Sequence, residues 1–149
     1  YPMKLPWNKV VIHHSLTDDG AKLSWNAIRK YHKETRGWSD IGYHFGVEWV
    51  GSHFNVLVGR PLTKMGAHAP GANRTGIGVC LIGNFDKYPA PVPMLRHAAK
   101  YIVAPMIRAF EMDWPDCLVG HNEVTAGRTC PGVLFDMDAL MAYTQLELG

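Results

Sequence analysis

The stretch "KVVIHHS", residues 9–15, runs through β-branched residues and turns polar at its carboxyl end. A short apolar run bounded by polar residues predicts a buried strand. Such a strand delivers His13, His14 and Ser15 to the carboxyl edge of a sheet. Side chains alternate across a strand, so His13 and His14 are expected on opposite faces, with His14 packing or supporting rather than sharing the task of His13.

Outward from this strand, elements alternate without repeat, linker or low-complexity tract. "SWNAIRKYHKET" predicts a helix, with Ser24 as N-cap, Trp25, Ile28, Tyr31 and His32 on one face, and Gly37 beyond its end. "IGYHFGVEWV" and "HFNVLVGR" predict an antiparallel hairpin around Gly51 and Ser52, without a favoured turn dipeptide. "LTKMGAHAPGANRTG" is a long loop of the kind that carries function. "IGVCLIG" is a second buried strand, and "PMLRHAAKYIVAPMIRAFEM" a long helix that Pro105 kinks or splits. "CLVGHNE" is a last short strand, and "DMDALMAYTQLEL" a closing helix capped by Asp136. The sum is an α/β chain, a mixed central sheet flanked by helices, with 149 residues and 47% hydrophobic content placing residues 1–149 in one domain.

Composition narrows the function. A net charge of +2 with eight scattered histidines gives no basic stripe, which argues against nucleic acid and leaves an anionic polymer compatible. No run of eighteen apolar residues exists and "YPMKLPWNKV" lacks the apolar stretch of a secretory signal, so no membrane partner is expected. The chain opens on Tyr1 rather than Met, which leaves room for a removed signal.

Three cysteines are present. Cys80 and Cys117 sit in apolar runs and read as inert core thiols. Cys130 lies in "GHNEVTAGRTCPG", residues 120–132, among small and polar neighbours, where a metal or nucleophile role gains weight. His13 and His121 each stand at the end of a predicted strand. If those strands are neighbours and the following loop folds back, His13, His121 and Cys130 form an N/N/S set suited to zinc with a position open for water. Two imidazoles and one thiolate leave the ion a net positive charge, enough to acidify a water or polarise a carbonyl. A lone histidine in an apolar strand is more often a hydrogen-bonded core residue, so this triple stands beside that plainer reading.

Five segments in order, "VIHHS", "GYHFGV", "VGRPL", "GAHAPGANRTGIGVCLIGNF" and "GHNEVTAGRTCPG", resemble the type 2 N-acetylmuramoyl-L-alanine amidases, whose fold is shared by phage lysozyme-amidases and peptidoglycan recognition proteins. The resemblance implies that fold for nearly the whole chain, and it implies His13, His121 and Cys130 as zinc ligands. It also implies Tyr43 of "GYHF" as a catalytic tyrosine, Arg128 at the polar position two before the cysteine where lysine is frequent, and His68 and Asn73 in the substrate groove. Guanidinium stays protonated, so Arg128 is expected to stabilise an oxyanion rather than move a proton. Glu48 and Glu123 are near the motifs, but neither is assigned as general base. His44 is set aside as a ligand by the resemblance alone, and Trp25, Trp38, Trp49 and Trp114 are expected to pack in the core.

The implied activity is zinc-dependent hydrolysis of the amide between N-acetylmuramic acid and L-alanine in bacterial peptidoglycan, by a monomer of the phage or prophage endolysin type. Its place would be the host cytoplasm with action on the wall after release, or outside the membrane if a signal was removed. The alternative is a recognition module that binds muropeptides without cutting. The mark of such members is a lost zinc ligand, typically the cysteine, and here all three ligands and the tyrosine stand.

Overall fold

The structure, a computed structural model, describes residues 5–17 and 25–149. β1 (Lys9–His14) lies between two parallel neighbours, β4 (Gly76–Leu81) and β5 (Leu118–Gly120). β2 (Phe45–Trp49) runs parallel to β4 on its far side, and β3 (Phe54–Val58) closes the sheet antiparallel to β2, giving the order β3-β2-β4-β1-β5. Parallel strands need both faces covered, which is why the burial of β4 is continuous rather than alternating.

The alternation sorts the residues by face. Val10 and Ile12 of β1, with Ile77, Val79 and Leu81 of β4, join the main core. That core is completed by α2 (Val92–Ala98), α3 (Ala104–Ala109) and α5 (Met137–Leu148). The opposite face carries Val11 and His13 of β1 and Gly76, Gly78 and Cys80 of β4. There the cover is α1 (Trp25–Glu34) and the loop around Ala69 and Ala72. Glycines on this face admit rings: a Cβ on Gly46 would strike the Trp25 indole, and one on Gly78 would come 2.6 Å from the His68 imidazole.

The hairpin register is Phe45↔Val58 through Trp49↔Phe54, with Gly51 at φ +93° as the first residue of a two-residue connection. Gly-Ser is therefore a fitting turn dipeptide here, since the first position requires positive φ. The strand also begins later than the sequence suggests, at Phe45, leaving Tyr43 in the extended approach to it. The helix containing Pro105 runs on without a gap but is not α-helical throughout. A π-helical turn, Ala99–Val103, joins α2 to α3, and the Ala104 N–H reaches the Ala99 carbonyl. The wider turn relieves the crowding a proline ring imposes on the preceding turn.

His121 opens a one-turn helix, α4 (His121–Val124), instead of extending β5. Asp136 caps α5, accepting from the Ala139 N–H at 2.9 Å. The expected cap at Ser24 lies outside the described residues. Among the described residues no helix is long and apolar enough to cross a membrane.

Candidate functional site

Register brings the first two site residues together. Ile12 pairs with Gly120, so the next residues, His13 and His121, leave the sheet side by side with ring centroids 4.5 Å apart. The chain after α4 then folds back across β1. The His14 N–H points to Cys130 Sγ at 3.4 Å, and the Asn122 N–H bonds the Cys130 carbonyl at 2.8 Å. Asp86 holds the same loop from below, accepting from Thr129 Oγ1 at 3.1 Å and the Val133 N–H at 2.9 Å.

One donor atom each from His13, His121 and Cys130 lies within 4.8 Å of the others, the geometry of a site able to hold a metal. Cys130 Sγ is 3.7 Å from His13 Nδ1. Among the described residues His121 Nε2 is buried without a hydrogen-bond partner, which a native protein rarely tolerates unless something else satisfies it. Electrostatics leave the set ready for a cation. Burial, then His68, His121 and His14, lower the His13 pKa well below its usual value. Burial, then Arg128, lower that of His121. Both imidazoles are thus neutral with lone pairs available. Burial lifts the Cys130 thiol to about 11, Asp86 adding to the rise while the His14 N–H and Arg128 oppose it. A thiol so held is protonated near neutral pH and loses its proton to solvent when a metal takes the sulfur.

The cluster lies at the floor of a groove of about 870 Å³ on the α1 face of the sheet. Tyr43, Asn73 and Arg128 line it, as do His68 and the cluster itself, so the groove gathers every residue the sequence nominated. The Tyr43 ring is 5.1 Å from that of His13. Burial, then Cys80 and Cys130, raise its pKa well above the usual tyrosine value, so its hydroxyl stays a donor. That hydroxyl lies beside the Cys80 thiol, so Cys80, fully buried as expected, also supports the tyrosine. Arg128 is exposed on the loop two residues before Cys130.

His68 is 8% exposed, and both its ring nitrogens are engaged within the protein, Nδ1 with His13 Nε2 and Nε2 with the Gly76 carbonyl, each at 2.9 Å. Asn73 Oδ1 accepts from the His68 and Ala69 N–H groups, shaping the loop from within. His14 faces the main core, its Nδ1 accepting from the Phe85 N–H. His44 is likewise committed, between the Gly78 N–H and the Lys64 carbonyl. Glu48 and Glu123 bond the Trp25 and Gly120 N–H groups, so both carboxylates cap backbone rather than serve the groove.

The sequence reading placed His32 on a buried helix face and Trp38 in the core, and it did not single out Arg36; the structure puts all three on the groove. His32, Arg36 and Trp38 form one wall, with the Arg36 guanidinium 5.3 Å from the Trp38 ring. The signal was the helical spacing of His32, which identified a buried face without showing that the face borders a cavity. Trp25 is buried as expected, whereas Trp49 is 42% exposed on the hairpin.

The family model described as N-acetylmuramoyl-L-alanine amidase matches residues 3–133. Peptidoglycan-recognition protein LB of Drosophila melanogaster is 36% identical over 130 residues, 83% of this chain, though the chain spans only 53% of that protein. The endolysin of Escherichia phage T7 is 33% identical over 132 residues, covering 86% of this chain and 81% of the phage protein. Among solved structures, N-acetylmuramoyl-L-alanine amidase LysC from Clostridium intestinale superposes with a TM-score of 0.80 at 27% identity, covering 98% of this chain and 89% of that one. The fold that the residues themselves explain is thus that of known relatives, and the chain belongs to the N-acetylmuramoyl-L-alanine amidase family.

Proposed function

We propose that the chain is a zinc-dependent amidase that hydrolyses the bond between N-acetylmuramic acid and L-alanine in bacterial peptidoglycan, as a single catalytic domain over residues 1–149. The observation that carries this reading is the convergence of His13, His121 and Cys130 at the floor of an open groove, with His121 Nε2 left without a partner. Two imidazoles and a thiol fit zinc better than the oxygen-seeking divalent ions. Zinc bound there supplies a polarised carbonyl and an acidified water.

The chain's own residues do the rest. The groove, of about 870 Å³, takes a glycan with its stem peptide and holds the scissile amide over the cluster. Tyr43 keeps its hydroxyl proton and donates toward the oxygen on which negative charge develops. Arg128, a permanent cation at the groove edge, steadies the same charge. Asn73 holds the loop that borders the substrate. A module that binds muropeptide without cutting has no need of the thiol that completes the set, which favours the enzyme. The endolysin name of the phage relative is in keeping with action on the cell wall after release from the cytoplasm.

The test pairs zinc content with product. Purified protein should hold one zinc per chain, release L-alanine amino termini from sacculi, and lose that activity to a chelator and regain it with zinc. Zinc uptake at neutral pH should also release a proton, because the Cys130 thiol is held protonated without metal. Full activity in metal-free protein overturns the reading.

A further inference from the structure

His68 lies outside the three-residue cluster and makes no use of solvent, yet the protein builds a slot for it. A Cβ on Gly78 would come 2.6 Å from its ring, and one on Gly66 would collide with it as well. Both glycines keep the sheet and the loop clear so that the imidazole can lie between them. The backbone entering the slot is pinned by Asn73 Oδ1, which takes the N–H groups of His68 and Ala69 at 2.7 and 2.8 Å.

Hydrogen-bond logic then runs in one direction. A carbonyl only accepts, so the 2.9 Å contact with the Gly76 oxygen places the proton of the neutral His68 ring on Nε2. Nδ1 is left with a lone pair. It faces His13 Nε2 at 2.9 Å, and that nitrogen must therefore carry a proton and donate it. The remaining nitrogen of His13, Nδ1, keeps its lone pair and is the one turned toward Cys130 Sγ. The two rings cross at 88° with centroids 5.0 Å apart, so they meet through the nitrogens rather than by stacking.

We propose that His68 is a positioning residue, passing the polarity of the Gly76 carbonyl to His13 and holding it in the tautomer that presents Nδ1 to the metal. The assignment rests on reading the cluster as a metal centre. An oriented partner of this kind raises the basicity of a ligating imidazole and commonly changes metal affinity by about ten- to a hundredfold.

The experiment reads the tautomer and the affinity separately. Nitrogen-15 correlation spectra of the imidazoles, in the protein as purified and after zinc addition, should show His13 and His68 both protonated at Nε2. Zinc affinity is measured by competition with a chromophoric chelator. His68→Ala should let the His13 tautomers mix and weaken zinc binding about ten- to a hundredfold. His68→Asn, whose Oδ1 replaces the lost acceptor, should restore the His13 tautomer and most of the affinity. Gly78→Ala, which displaces the ring without deleting it, should resemble His68→Ala. A His13 ring protonated at Nδ1, or an alanine variant with unchanged tautomer and affinity, overturns the proposal. Should His68→Ala fail to fold, the wild-type spectra and the asparagine variant still decide. A protein with the expected tautomers that takes up no zinc sinks the metal centre and leaves the hydrogen-bond relay standing.

Discussion

Arg128 occupies the polar position two residues before Cys130, and the kinetic constant it governs separates its two conceivable tasks. A guanidinium that steadies developing negative charge acts on turnover. One that anchors stem-peptide carboxylates acts on binding. Arg128→Ala is expected to lower kcat on the order of a hundred- to a thousandfold with zinc retained, as loss of an oxyanion donor does. Arg128→Lys keeps the charge and should retain much of the activity. Steady-state kinetics on a soluble muropeptide check this, and a rise in KM with kcat unchanged would reassign the residue. At this scale the three-residue cluster was legible in the sequence, because His13 stands near the end of one strand, His121 directly follows another, and Cys130 sits in a polar loop. The partner of His13 was not. His68 is fifty-five residues away in the chain, and its bond to His13 depends on a loop path and two glycine clearances that no local pattern encodes. The carboxylates of Glu48 and Glu123 were equally unreadable in direction, since each caps a backbone N–H whose position follows from the fold.

The elements that hold the site meet at the loop between α4 and α5, and Asp86 is its main tether. Both carboxylate oxygens are used, one on Thr129 and one on Val133, on either side of Cys130. Asp86→Ala should cost about 1 kcal/mol of stability for the lost bonds. It should also weaken zinc binding about tenfold, within the range seen when a ligand loses its support. Its negative charge pushes the Cys130 thiol up, so removing charge alone favours the thiolate. Asp86→Asn keeps the shape without the charge and should preserve affinity. Titration of both variants with zinc separates the two effects, and equal weakening in both would show that charge rather than tethering governs the loop. Element boundaries were legible where a local signal is strong: the helical spacing of α1, the unbroken apolar run of β4, and the Asp136 cap of α5. They slipped where backbone geometry decides. Tyr43 falls short of β2, His121 starts a helical turn, and Pro105 is absorbed by a π-helical turn that apolar spacing cannot signal.

Acid sensitivity belongs to the whole molecule, because it sums over buried imidazoles. His32 is the clearest case. Its Nδ1 accepts the Gly42 N–H at 3.0 Å, and burial, with Arg36 and Arg60 nearby, lowers its pKa from 6.5 to about 4. The unfolded chain therefore binds a proton there that the folded chain refuses between those two values. Stability contributed by this site is whole above pH 6.5 and is lost as pH falls toward about 4. His32→Asn retains an acceptor for Gly42 but does not titrate. Urea unfolding of chelator-treated protein across that window should show a pH slope reduced by up to one proton in the variant. An unchanged slope would place the acid sensitivity elsewhere.

The central place of β1 has a consequence for how the protein comes into being. The first residue of the cluster, His13, belongs to a strand whose partners are β4 and β5, and the other two follow at residues 121 and 130. A nascent chain that has emerged from the ribosome only as far as β4 has one cluster residue of three and an unpaired edge on β1. Under the proposed function, such a chain can neither complete the metal set nor cleave peptidoglycan. The set is whole only once residue 130 has been made, and a chain interrupted before it lacks the thiol.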